Sequence, residues 1–368
     1  MGIARTNTRT HPMSLLNRIF GTPHWPTVLL TYVIGGAGGI LAKALHLPLP
    51  MLLGSLLAVG AAALFDLKPF GHLPQAPQKI RMIFIPVIGV AIGGAAKPEI
   101  LEQAWEWIPS LLILALYIPV IHYLGFRMLT ATGRIDRKTA LYGTAPGGLV
   151  ETVQMGEEAG ADIQMLSMLQ FLRLILTIVV VPLSFTVMEG HAVGSAGGAA
   201  VAGYGMGPVD VAILLACAVV GAVAGLRLKL PAGHVLGPIL FSGAAHVAGL
   251  TQSVPPSWLV AVTQVVIGTS LGVRFAGMPK RRILDALGLA LMNGTLTLGG
   301  AALVAYLIAD LVGEPARAVF LSFAPGGLVE MGLIALSLNM SILYVTAHHL
   351  LRIILAVSVV RSFGIRLH

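Results

Sequence analysis

Long apolar runs alternate with short polar interruptions along the whole chain. They fall near residues 25–45, 48–65, 80–96, 108–129 and 162–187, and again near 208–226, 234–250, 258–277, 284–312 and 340–362. Crossing a bilayer takes about 20 mostly apolar residues per helix, so the pattern predicts about ten transmembrane helices, five and five. The stretch between the two sets, 188–207, is rich in glycine and has no Lys or Arg, and it reads as a linker. The chain thus divides into a basic tail (1–24), a first membrane repeat (25–187), the linker (188–207), a second membrane repeat (208–363) and a short tail (364–368).

The two sets are copies of one unit. The heptapeptide APGGLVE occurs at Ala145–Glu151 and again at Ala324–Glu330, an offset of 179 residues (324 − 145). Arg173 and Arg352 stand at the same offset, as do Gly89 and Gly93 with Gly268 and Gly272. Gly54 and Gly237 match at 183, so an insertion of about four residues separates the two registers. Duplicated halves of this kind are common in transporter folds.

Composition agrees with a chain that lives in lipid. It is 56% hydrophobic and only 10% charged, against about 25% charged in a soluble domain. The net charge of +8 sits in short clusters between apolar runs, which is a topology signal and not a nucleic-acid surface. The first twenty residues carry Arg5, Arg9 and Arg18 without an apolar core, so they read as a basic tail and not as a signal peptide. With both termini in the cytoplasm, the clusters around Lys68–Arg81, Arg127–Lys138, Arg227–Lys229 and Arg274–Arg282 fall inside and the linker outside, provided the two APGGLVE stretches do not cross. Five crossings per half is odd, so the halves enter from opposite faces. The expected fold is all-α and polytopic, with two inverted five-helix repeats, each carrying a re-entrant or broken element at APGGLVE. The expected location is the inner (plasma) membrane. The lipid bilayer is the expected environment, direct nucleic-acid binding is not expected, and a homo-oligomer is left open.

The candidate site follows from the breaks. Proline removes a backbone donor and two glycines loosen the chain; at membrane depth such backbone must be buried in protein or line a polar cavity. Helix resumes after each break, so its free amides and positive dipole end gather at Pro146, Gly147, Gly148 and at Pro325, Gly326, Gly327. Two such ends meeting near the midplane form a site for an anion or carboxylate. Glu151 and Glu330 lie in the first resumed turn, as dipole partners or as carriers of a proton or cation. An arginine inside a span faces a cavity or a partner, so Arg173 and Arg352 either contact substrate or pair with those glutamates. Gln170 and His349 occupy matched positions beside them, to line a pathway or to bond to each other. The Gly89–Gly93 and Gly268–Gly272 pairs read as close helix packing.

No metal or cofactor is expected. His348 and His349 are adjacent on a helix and point about 100° apart. Cys217 is the only cysteine. No nucleotide loop or Ser/His/Asp grouping is present.

The stretches TAPGGLVETVQMGEEAGADIQMLSMLQFLRL and SFAPGGLVEMGLIALSLNMSILYVTAHHLLRI resemble the duplicated membrane family known as AbrB. The second copy is the more typical. The first has Thr152 and Leu169–Gln170 where the second has Met331 and His348–His349, so the halves need not contribute equally. The resemblance implies a membrane protein, distinct from the small DNA-binding regulators that share the name. Family labels extend to regulation of gene expression and to ammonia monooxygenase. The second needs a metal site that these residues do not offer, so no enzyme is expected. The leading expectation is a secondary transporter of a small organic anion or metabolite by alternating access. The alternative is a membrane-embedded regulator.

Overall fold

The computed structural model describes residues 22–98, 104–193, 206–338 and 340–365. Most of the basic tail and of the linker, and the last three residues, lie outside it. The regular structure among the described residues is all helical: three short 3-10 helices, and α-helices in two sets of seven. The first set is α1 (Trp25–Ala44), α2 (Pro50–Leu64), α3 (Gln78–Gly93), α4 (Ile108–Ala131), α5 (Arg137–Gly143), α6 (Leu149–Glu158) and α7 (Ile163–Glu189). The second is α8 (Pro208–Arg227), α9 (Gly233–Val247), α10 (Ser257–Gly272), α11 (Lys280–Val312), α12 (Ala316–Phe323), α13 (Leu328–Ser337) and α14 (Ile342–Ile365).

All ten apolar runs form helices, and among the described residues seven segments are long and apolar enough to cross a bilayer: those of α1, α4, α7, α8, α10, α11 and α14. The helices α2, α3 and α9 have 15, 16 and 15 residues. At 1.5 Å per residue they reach about 22–24 Å, short of a hydrocarbon core of about 30 Å. The outer faces carry bare apolar side chains. Leu29, Leu116, Leu215 and Leu311 are all more than 60% exposed, a surface that calls for lipid contact.

The repeat extends to backbone detail. His46 and Leu49, which lead into α2, have φ of 53° and 43°, and Lys229 and Ala232, which lead into α9, have 53° and 47°. Each pair holds the chain in the left-handed region at the same two steps before the helix. Within each half, the first two helices meet at glycines: Gly38 lies against Gly54, and Gly221 against Gly237.

The halves then interlock crosswise. A β-carbon at Gly89 would lie 2.7 Å from Val235 O, and one at Gly93 2.8 Å from Ser242 Cβ, so α3 is seated on α9. At the equivalent positions Gly268 and Gly272 face Leu52–Gly60, so α10 is seated on α2. The spacing thus serves close backbone approach, as expected. The equivalent helices α4 and α11 run antiparallel against each other: Tyr117 donates to Thr297 O (3.0 Å), and a β-carbon at Gly125 would meet Asn293 Oδ1 (2.7 Å).

Candidate functional site

Each half builds one broken element on this scaffold. The short helix α5 starts at Asp136, whose carboxylate accepts from Thr139 N (2.9 Å) and from the Thr139 hydroxyl. Partial burial pushes this carboxyl up, but those hydrogen bonds outweigh it and hold it below the usual range. The helix stops at Gly143, Pro146–Gly148 turn the chain, and α6 begins. Gly148 has φ 65°, which explains a glycine there. In the second half α12 stops at Phe323 and α13 begins at Leu328.

The carbonyls freed at the end of α5 and α12 are capped by the next long helix. Gln170 Nε2 donates to Tyr142 O (2.7 Å), and His349 Nε2 bonds Leu321 O (3.0 Å), positions that match at 179. Arg173 Nη1 donates to Ala145 O, and Arg352 donates to Ala324 O and Gly326 O. A guanidinium at a helix C-terminus meets the negative end of the dipole. Of the two readings of these arginines, the ion pair with Glu151 or Glu330 is not formed among the described residues. Among the described residues the ion pairs are Lys280–Asp66, Arg282–Asp162 and Arg317–Glu189. The reason is proximity: backbone carbonyls with no helical partner stand within reach of each guanidinium and use its donors first. Nor do Gln170 and His349 bond to each other.

Between the two breaks lies a cavity of about 420 Å³. Pro146, Gly147, Gly148, Glu151 and Arg173 line it from the first half, and Pro325, Gly326, Gly327, Glu330 and Arg352 from the second. Of the residues singled out in the sequence, His349 does not reach it; it is fully buried behind Arg352 on Leu321. Arg81, at the start of α3, and His234, at the start of α9, line the cavity as well. Neither has a counterpart at the matching position of the other half, Val260 and Met51 respectively, so the repeat gave no signal for them. Arg173 and Arg352 are 5% and 2% exposed, yet the Nε of each has no partner. A buried donor left unmade is costly, and with Arg81 Nε three of them belong to side chains that line the cavity.

The two copies are unequal. All the residues of α13 from Leu328 to Leu336 are buried, Glu330 included. On α6, Glu151, Gln154, Glu157 and Glu158 are exposed. Glu151 also lines a second cavity of about 420 Å³, with Glu158 and Arg361.

A helical membrane protein whose repeated APGGLVE stretches form paired helix breaks around a cationic cavity is the class these features define. The family model for the transition state regulatory protein AbrB matches residues 69–367, and the chain belongs to that family. It is 25% identical over 361 residues to the uncharacterized protein YhjN of Bacillus subtilis strain 168, covering 91% of each chain. It is 27% identical over 315 residues to a candidate regulator, AbrB, of Escherichia coli strain K12, covering 84% of this chain and 87% of that one.

Proposed function

We propose that this chain is a secondary transporter of a small organic anion, working by alternating access in the inner membrane. Its two halves are inverted repeats with ten crossings and both termini in the cytoplasm. The observation that carries the reading is a cavity lined by both proline–glycine breaks and both buried arginines. Two helix N-termini aimed at one space favour negative charge there, and the unpartnered Nε groups add directed donors. The antiparallel packing of the equivalent helices α4 and α11 supports the inversion, because copies related by an axis in the membrane plane run in opposite directions. The cavity is lined by the start of α3, the end of α8 and the start of α9, which are cytoplasmic ends in this topology.

The test is uptake by purified protein in liposomes. A panel of radiolabelled mono- and dicarboxylates is offered under an imposed pH gradient. At least one is expected to accumulate above protein-free vesicles, with Arg352→Ala and Arg173→Ala each losing at least tenfold. If nothing in the panel moves, or if both variants transport normally, the reading fails. Reporter fusions are expected outside after Met206 and inside after Met278; the reverse placement would refute the inversion.

A further inference from the structure

The APGGLVE copies have identical sequences but place their glutamates differently. Glu151 is exposed, whereas Glu330 is 3% exposed and lies in the cavity wall. Its side chain folds back over the break. A β-carbon built on Gly327 would collide with Glu330 Oε2 and lie 2.9 Å from its Cδ and 3.4 Å from Oε1. Both carboxylate oxygens therefore sit over the first residue of the α13 cap, where the free amides and the positive dipole end present themselves. At the first copy, Glu151 Oε2 would lie 3.5 Å from a β-carbon on Gly148, so this carboxylate also stands near its cap, but it is exposed where Glu330 is buried.

Among the described residues Glu330 forms no ion pair. The charged and titratable groups that share its cavity are Arg81 on α3, His234 on α9, Arg173 on α7, Arg352 on α14 and Glu151 on α6. On α12 the only charge is Arg317, which is committed to Glu189. Glu330 is thus held by a helix cap and a diffuse positive field, and no side chain clamps it.

We propose that the Glu330 carboxylate is a built-in stand-in for the transported anion, so that the site takes its anion together with one proton. This rests on the anion-transport reading above. An incoming anion competes for the positive field that Glu330 occupies. Two negative charges in a cavity of about 420 Å³ repel, and protonating the buried carboxyl removes the repulsion. The proton comes from bulk water and resides on a Glu330 oxygen while the anion is bound. Once the anion leaves, the proton leaves with it and the carboxylate returns to the α13 cap. Glu330 therefore sets both the charge class of the cargo and its coupling to the proton gradient.

The test uses purified full-length protein in detergent and methanesulfonate, a carboxylate mimic whose own charge is constant near neutrality. Binding is measured by calorimetry across the near-neutral pH range in buffers of different ionisation enthalpy. The wild type is expected to lose affinity as pH rises, approaching about tenfold per pH unit for one linked proton, with close to one proton taken up per anion. Glu330→Gln is expected to bind with an affinity that no longer follows pH and with no proton uptake. His234→Gln is the control for the imidazole in the cavity wall, and is expected to keep the slope whatever its absolute affinity. Gly327→Ala keeps the carboxyl but evicts it from the cap, and is expected to displace the pH range over which affinity changes. A Glu330→Gln variant that retains the wild-type slope and proton uptake overturns the inference while leaving the anion site standing. So does an unshifted Gly327→Ala profile. If the wild type binds no methanesulfonate at any pH, the anion site falls, and the role of Glu330 with it.

Discussion

The crosswise seating of the halves can be tested at Gly272 and its equivalent Gly93. A β-carbon at Gly272 would lie 2.8 Å from Gly60 N, 2.9 Å from Leu56 O and 2.9 Å from Val59 Cβ. Ordinary contact begins at 3.4 Å, so α10 and α2 must separate by about 0.5 Å, and two of the three obstacles are backbone that cannot rotate away. Overpacking of this kind costs about 1–3 kcal/mol. Replacing a helical glycine by alanine returns up to about 1 kcal/mol of propensity, so Gly272→Ala is expected to lose up to about 2 kcal/mol net. Gly93→Ala, facing Ile239 O at 2.5 Å and Gly243 N at 2.9 Å, should lose a similar amount, because it makes the mirror contact. Gly36→Ala on α1 meets nothing within 4 Å and keeps the gain. The assay is built into the chain. Cys217 is the only cysteine and is buried beside Val90, Leu214 and Ala245, so a thiol-reactive dye reports its exposure during heating in detergent. The expected order of unfolding temperature is Gly36→Ala above wild type, and wild type above both Gly93→Ala and Gly272→Ala. If Gly272→Ala unfolds at or above the temperature of Gly36→Ala, the close approach of α10 and α2 is not what the glycines are for.

Three further outcomes concern the site. Gly148→Ala forces a side chain onto φ 65° and into Val357 Cγ2 at 2.6 Å, whereas Gly147→Ala meets only ordinary contacts from 3.4 Å; anion binding should fall at least tenfold in the first and less than threefold in the second, measured by the same calorimetry. Arg352→Lys keeps the charge but loses the planar fork that reaches both Ala324 O and Gly326 O; one carbonyl left unpaired costs about 1–3 kcal/mol, read as a lower temperature of dye labelling at Cys217. Asp136 caps α5 with its carboxyl held below the ordinary range by Thr139. Its contribution is full above the unfolded value and is lost as pH falls through the lower folded one, so Asp136→Ala should cost about 0.5–2 kcal/mol at neutral pH and almost nothing in strong acid, by thermal unfolding at both pH values.

Much of this was legible because the chain states it twice. The offset of 179 residues links Arg173 to Arg352 in the sequence, and the same offset links the carbonyls they cap, Ala145 and Ala324. The seven α-helices described in each half, the glycine contacts and the paired breaks and arginines of the cavity obey the repeat. What the repeat could not reveal is what only one copy has. Arg81 looked like a topology charge because its matched position is Val260. The arginine–glutamate pairs failed for a different reason: counting charges in a sequence ignores backbone carbonyls, which a broken helix supplies at the very place where the guanidinium arrives. The shortness of α2, α3 and α9 was hidden in the sequence because each apolar run includes flanking residues that leave the helix, such as Leu49 with its left-handed backbone.

The difference between the two identical heptapeptides lies in the residues immediately C-terminal to each. After the second, MGLIALS is apolar and can be buried on every side, so α13 sinks into the protein and takes Glu330 with it. After the first, TVQMGEE carries two further acids, and burying unpaired carboxylates is costly. α6 therefore stays at an accessible surface, with Glu157 and Glu158 exposed, and Glu151 is drawn outward. One local sequence thus yields two carboxylates in opposite environments, decided by composition three to seven residues downstream. Making α6 as apolar as α13, by Gln154→Leu, Glu157→Ala and Glu158→Leu together, should draw Glu151 inward beside Glu330. Two carboxylates would then compete for one positive cavity, and methanesulfonate affinity should drop at neutral pH and recover in acid. An unchanged neutral affinity would mean that the downstream residues do not control where the first glutamate sits.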